Sequence, residues 1–500
     1  MAPSVVRSAR PARVVRMSSP LRQAVIAPGT GPTEAPLEAA ARLFAALHRT
    51  GISYCHWKSN DQVGAGLAGR ADIDVLIDRR QADRARAVLL ESGFKRFDPM
   101  AHAEYPAVED HLALDEATGR LLHCHLHFRL LAGARFLKGY HLPWEGLLLA
   151  RRRWEPRFGV FVTDPHLELL VLLVRLSIRL RVRDVVAFAV RRPKWITKMR
   201  HESEELRRRI DPEVTRGLCE QLLGPAAREA FEPLLAGRVT LATLWRFRSS
   251  ARDELGCCRT YGPVRARLLR WRREWASVLS GLSRRVFNRA RPSRRSIPTG
   301  GVLVALMGAD ESGMPAVPGD LARLFAWKID VFRVHFARPS GRGRAPKSPL
   351  PRNRAADAVR GLARALATRR RLTAAWQARN GGMLVISDGF PEARAEDDDG
   401  PRLTRFATHG LGLLRALARW EAVPYRWAER QLPDLVVRLR GETALSLVRT
   451  AEPGAAQVAS IADATERPWL GRPAVVVDID ANRPYEEVRR DVARAIWAQL

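Results

Sequence analysis

Five short, nearly unbroken apolar runs, each followed by a helix-forming stretch, fill the chain from Val302 onward and leave few folds open. The runs are VLVALM at 302–307, VFRVHF at 331–336, MLVISD at 383–388, LVVRLR at 435–440 and AVVVDI at 474–479. Helical patterns follow them: to Lys328, over Arg354 to Arg379, from near Leu403, from near Glu442, and over Pro484 to Leu500. Strands without polar alternation suit a sheet covered on both faces, and intervening helices suit parallel crossovers. The series predicts a doubly wound five-stranded parallel α/β sheet, with ligands at the carboxyl ends of its strands.

Between the first run and its helix lies GADESGMP, Gly308 to Pro315. Gly308, four residues and Gly313 have the spacing of a phosphate-cradling loop, in which backbone N–H groups around Asp310 and Ser312 face anionic oxygens. Such a loop continues Gly-Lys-Ser/Thr, so that a lysine reaches the β/γ-phosphates and a hydroxyl binds Mg²⁺. Here Met314 and Pro315 stand in those two places. Methionine carries no charge, and proline has neither hydroxyl nor backbone N–H.

With that loop go DGFP at Asp388 to Pro391, DGPRL at Asp399 to Leu403, PDLVVRLR at Pro433 to Arg440, Arg449 one helix later, and VVVDIDANRPYEEV at 475–488. In this order the motifs resemble the thymidylate kinase-like family of P-loop proteins over roughly 300–500. The resemblance implies ATP or another nucleoside triphosphate, with Mg²⁺, on Gly308, Asp310, Ser312 and Gly313. It implies a catalytic acid at Asp388, an acceptor-side Arg402 and a phosphate contact at Arg449. The family usually follows its acid with arginine, where this chain has Gly389. Phosphoryl transfer depends on positioning and on neutralising charge spread over the phosphate oxygens. A kinase half lacking both cations is expected to bind nucleotide with activity lost or weak, unless Arg323, Lys328 or lid arginines supply charge.

Toward the N-terminus, a helical pattern over Ala35 to Arg49 precedes ISYCHWKSN and then GRADIDVLID at 69–78. Asp72 and Asp74 alternate along a strand, so both carboxylates leave one face. Such a pair can hold Mg²⁺ against a triphosphate, which Lys58 and Ser59 can meet. This stretch resembles the nucleotidyltransferase superfamily, especially members fused to thymidylate kinase-like domains in bacteria. The resemblance implies Mg²⁺-dependent nucleotidyl transfer, catalysed by Asp72 and Asp74, as the alternative activity. It implies a third carboxylate from a later strand, but the matching strand RLLHCHLHF carries His123, His125 and His127 on one face and no acid. Glu109, Asp110 and Asp115 lie nearby in sequence without anything to bring them in. The histidine row is read as a polar strand face or a substrate contact, three imidazoles on one strand being too far apart for one ion without further ligands.

The expected organisation is a basic arm at 1–33, a nucleotidyltransferase-like α+β domain at 34–163, a helical appendix at 164–282, a basic linker at 283–299 and the P-loop domain at 300–500. The net charge of +31 comes largely from arginine in an alanine-rich chain. It carries no helix-turn-helix, zinc-finger or aromatic RNA-binding signature, so nucleotide rather than nucleic acid is the expected partner. The acidic run Glu396 to Asp399 reads as a solvated loop. The five cysteines lack a metal-finger spacing, and the run at 167–180 is cut by Arg175 and Arg179. A cytoplasmic protein without a membrane span is therefore expected. Fusions of this kind imply partners in surface-polysaccharide assembly. A non-catalytic scaffold remains the third reading.

Overall fold

The computed structural model describes residues 35–100, 102–134, 136–180, 194–287, 294–308, 314–336, 354–391, 403, 412–441 and 475–500. They form a mixed α/β molecule around two sheets. The first sheet holds β1 (Tyr54–His56), β2 (Ile73–Ile77), β3 (Lys95–Phe97), β4 (Val108–Asp115), β5 (Arg120–His127), β8 (Arg153–Glu155) and β9 (Val160–Val162). Its order is β3-β4-β5-β2-β1-β9-β8, with β2 parallel to β5 and β4 antiparallel to it. A separate hairpin, β6 (Leu130–Ala134) and β7 (Leu137–Leu142), follows β5 directly.

One face of this sheet is closed by α1 (Glu38–Arg49) and α2 (Ala82–Glu91). Leu43, Phe44 and Leu47 recur at helical spacing on α1 and share a buried core with Ile73, Val75, Leu122 and Leu126. Over the opposite face lies a helical layer: α3 (Pro165–Arg179), α4 (Lys194–Arg207), α5 (Pro212–Leu235), α6 (Leu241–Ser250) and α7 (Pro263–Phe287). Asp164 caps α3 by accepting from the His166 N–H, and Pro165 occupies the first turn, where no donor is needed. Almost the whole of α3 is buried, which accounts for the dense apolar run at 167–180. Among the described residues no helix is long and apolar enough to cross a membrane.

The second sheet comprises β10 (Val302–Met307), β11 (Val331–His335), β12 (Leu384–Asp388), β13 (Leu435–Arg440) and β14 (Val475–Asp480). It is parallel throughout in the order β11-β12-β10-β13-β14, so β10 is central. Helices α8 (Val317–Phe325) and α11 (Tyr485–Gln499) cover one face, and α9 (Arg354–Asn380) and α10 (Gly412–Arg430) the other. The two-faced burial follows from the unbroken apolar strands. The helix expected near Leu403 is seen from Gly412, and the one expected near Glu442 lies outside the described residues.

The two sheets share a core. Phe97, Leu112, Leu114 and Leu121 of the first belong to one buried cluster with Leu321, Phe325, Val492 and Ile496 from α8 and α11. Arg490 and Arg494 on α11 donate to the carbonyls of Ala117 and Glu116 at the β4–β5 turn, at 2.7 and 2.6 Å. The span 283–299, expected as a tether, differs from that reading. It is helical as far as Phe287, and Ser296 pairs backbone to backbone with Asp98 while Arg295 bridges to Ile329. Its 294–297 portion is docked because its backbone completes strand-like hydrogen bonds to both units.

Candidate functional site

At the carboxyl end of the second sheet, Gly308 follows β10 with φ of 77°. A Cβ there would lie 2.6 Å from the Leu439 carbonyl oxygen, so glycine is required by both the dihedral and the neighbouring strand. Asp388 ends β12 beside it, and Gly389, with φ of 73°, donates its N–H to the Leu306 carbonyl at 2.9 Å. His335 Nδ1 stands 3.3 Å from the Asp388 carboxylate, and Arg333 on β11 adds a nearby positive charge. Met314 is only 9% exposed and belongs to the apolar core with Val317 and Leu321. Arg323 pairs with Asp320 on its own helix. Asp310, Ser312, Gly313, Arg402, Arg449 and the acidic run 396–399 lie outside the described residues. Asp478 accepts from Arg438 at 2.7 Å and Arg440 at 3.2 Å, so that strand-end acid is held by its neighbour strand.

A second constellation lies on the first sheet, in the seam between the helical layer and the second sheet. Asp72 and Asp74 do share a face, and His123, His125 and His127 join them through the parallel β2–β5 pairing, Asp74 standing opposite His125. Asp110 arrives from the far side because the β4–β5 hairpin sets it opposite His125 as well. His123 Nδ1 is 2.8 Å from Asp72 and its Nε2 is 2.9 Å from Asp110. His125 faces Asp74 at 3.3 Å and Asp110 at 3.0 Å, and His127 faces Asp74 at 3.2 Å. Thus a third carboxylate sits on the face that the strand sequence alone leaves without one.

Cations enter from both sides. Lys58 pairs with Asp74 at 2.7 Å, as its position before β2 suggests. Arg295 meets Asp110 at 2.9 Å, and Lys328 pairs with Asp72. Lys328 precedes β11, at the amino end of the second sheet, so it serves this seam and not the surroundings of Gly308, where charge from it was expected. Ser59 takes a left-handed conformation, φ of 52°, and turns the chain so that the following Asn60 donates twice to Glu168 on α3, at 2.9 and 2.7 Å.

Burial opposes ionisation of all three aspartates. For Asp72, the hydrogen bond from His123 and the charges of His123 and Lys328 outweigh it, holding the carboxyl far below its usual value. The Lys58 charge does the same for Asp74, and His123 and His125 do so for Asp110. Burial pushes His123 down to about 4 and His127 down to about 3. His125 is raised, since its hydrogen bonds to Asp110 and Asp74 overcome the burial that would lower it. A neutral His123 has one N–H for two carboxylates, so one of its two contacts has no donor.

The metal question is answered by the donor types. Asp72 with His123 and His125, and Asp74 with His125 and His127, each gather three ligand atoms within 4.8 Å of one another. Mixed imidazole and carboxylate ligands suit Zn²⁺-like ions, whereas Mg²⁺ takes oxygen and retains water. The imidazoles and the two ammonium groups all meet the Oδ1 atoms of Asp72 and Asp74.

No family model matches the chain. It is 26% identical over 229 residues to the uncharacterized ATP-binding protein YghS of Escherichia coli (strain K12), a match spanning 40% of this chain and 93% of that protein.

Proposed function

We propose that the chain binds ATP or another nucleoside triphosphate at the carboxyl end of its five-stranded sheet, in the manner of thymidylate kinase-like proteins, without fast phosphoryl transfer. The observation that carries the binding is Gly308 at the end of the central strand, with Asp388 closing the strand beside it. Ligands of open parallel sheets sit at that end, where strand connections diverge. A relative whose name describes ATP binding supports the same reading. Loss of transfer rests on Met314, whose side chain is taken up by the core where a kinase directs a lysine at phosphate. Equilibrium dialysis of the full chain against labelled ATP, with and without Mg²⁺, tests the binding. Saturable retention by the native protein that drops at least about tenfold in Gly308→Val, a bulky residue at a positive φ, is the expected result. Retention equal in both proteins would reject it.

The second reading is nucleotidyl transfer on the first sheet. Asp110 favours it, because it joins Asp72 and Asp74 on one face as the superfamily's third carboxylate would. Lys58, Lys328 and Arg295 weigh against it by filling the place of a metal. Pyrophosphate release from a nucleoside triphosphate, abolished by Asp72→Asn, would establish this second activity; no release from the native chain would remove it.

A further inference from the structure

Beside Lys58, on the side away from the second sheet, a cavity of about 250 Å³ opens between the β6–β7 hairpin and the C-terminal half of α3. Four of its lining residues are cations: Lys58, Lys138, Arg175 and Arg179. Among the described residues no aspartate or glutamate lines it, although Lys58 is paired with Asp74 at 2.7 Å. The indole of Trp57 forms part of the wall, with the Lys58 ammonium 5.1 Å and the Arg175 guanidinium 5.0 Å from its ring centre. Its Nε1–H is buried without an acceptor.

The hairpin is shaped for this cavity. Its register shifts between Ala132 and Ala134, which leaves Gly133 out of the ladder at φ of 130°. A Cβ on Gly133 would lie 2.9 Å from the Leu137 carbonyl oxygen. Lys138 lines the wall with its ammonium 4.3 Å from the Tyr105 ring centre. Burial first, then the charges of Lys58 and Arg175, outweigh those of Asp74 and Asp110 and push it down to about 7. Neither Lys138 nor Arg175 has a carboxylate within ion-pair distance among the described residues. Converging cations in a confined space repel one another, and withdrawing them from water is costly unless an anion joins them.

We propose that this cavity is a binding site for a diphosphate group, free or carried on a larger molecule. Its volume lies below the roughly 300 Å³ at which pockets begin to enclose drug-sized ligands, so it suits a compact polyanion. Guanidinium groups hold phosphate oxygens in pairs and ammonium groups hold them as point charges, and the wall supplies both. The buried indole N–H adds a neutral donor. The site is separate from the carboxyl end of the second sheet, and it shares Lys58 with the Asp74 side of the seam.

Titration calorimetry of the full chain with sodium pyrophosphate in metal-free buffer tests the assignment. The native protein is expected to bind with a stoichiometry near one. Lys138→Gln and Arg175→Gln should each weaken binding at least about tenfold, the loss of one charge-assisted contact. Lys138→Arg, which keeps the charge, should stay within about threefold of native and so separates loss of charge from misfolding. Arg246→Gln, which removes a cation from the remote surface of α6, should leave affinity unchanged. Displacement of pyrophosphate by ADP would assign the site to a carried diphosphate, and failure of ADP to compete would assign it to the free anion. Absence of saturable binding, or equal affinity in native, Lys138→Gln and Arg175→Gln proteins, would overturn the proposal.

Discussion

The seam of the first sheet and the carboxyl end of the second are opposites in how they keep charge. In the seam, three aspartates, three histidines, two lysines and an arginine meet in one contact network, and carboxylates are answered from both sides of the chain. At the second sheet's end Gly308 and Asp388 stand at the ends of neighbouring strands, while Met314 packs into the apolar core. The difference teaches caution about motifs. Gly308 is demanded by the Leu439 carbonyl whether or not a phosphate is ever bound, so its presence alone says little about catalysis. The seam residues have no such packing duty, and burying so many ionisable groups is justified only while all of them remain paired.

Breaking the seam should therefore cost the most. Asp110→Ala strips His123, His125 and Arg295 of a shared partner, and breaking a buried pair of this kind costs about 3–5 kcal/mol. The urea midpoint of the full chain measures it; a variant as stable as native would mean that the network contributes nothing. A smaller loss is expected from Gly308→Ala at the other region. The left-handed backbone costs a side chain roughly 1–2 kcal/mol, and the Leu439 carbonyl must also yield. An unchanged midpoint there would show that the loop relaxes freely and that the glycine is kept for another reason.

The third test is acid. Unfolded imidazoles take up protons near 6.5, whereas His127 and His123 in the folded chain resist until about 3 and 4. Between those values the unfolded state binds more protons, so stability falls as pH drops from 6.5 toward 4. The depressed aspartates add to the loss at still lower pH. His125 acts oppositely, giving stability that is present below 6.5 and lost as pH rises through its elevated value. His48 and His56, also lowered by burial, act with His123 and His127, while Glu168, which burial pushes up to about 8, acts with His125. With that acid removed, a Glu168→Gln chain is predicted to have a urea midpoint lower at pH 4.5 than at pH 7. A midpoint that rises on acidification would reverse that assignment.

Much of the fold was legible in the sequence because apolar runs and helical spacing are local signals. All five strands of the second sheet lie where their runs predict, and Asp72 and Asp74 share the face that alternation assigns them. Asp110 was missed although a signal existed. Counting back from the Asp115–Arg120 turn, closed by Gly119 at φ of 68°, pairs residue 110 with 125. Lys328 and Arg295 carried no comparable signal. They reach the seam only because α8 and the docked span pack against the first sheet, a contact between chain segments more than a hundred and fifty residues apart. The cation cavity was hidden for the same reason, since Arg175 and Arg179 on α3 are brought beside Lys58 and Lys138 only by the packing of the β6–β7 hairpin.

Bound nucleotide is expected to survive intact on this chain. Labelled ATP and Mg²⁺, mixed with excess full-length protein, should be retained on the chain and stay ATP over an hour after thymidylate is added. Conversion of the bound label to ADP within seconds would show that transfer proceeds with Met314 in the core and would contradict the proposed function.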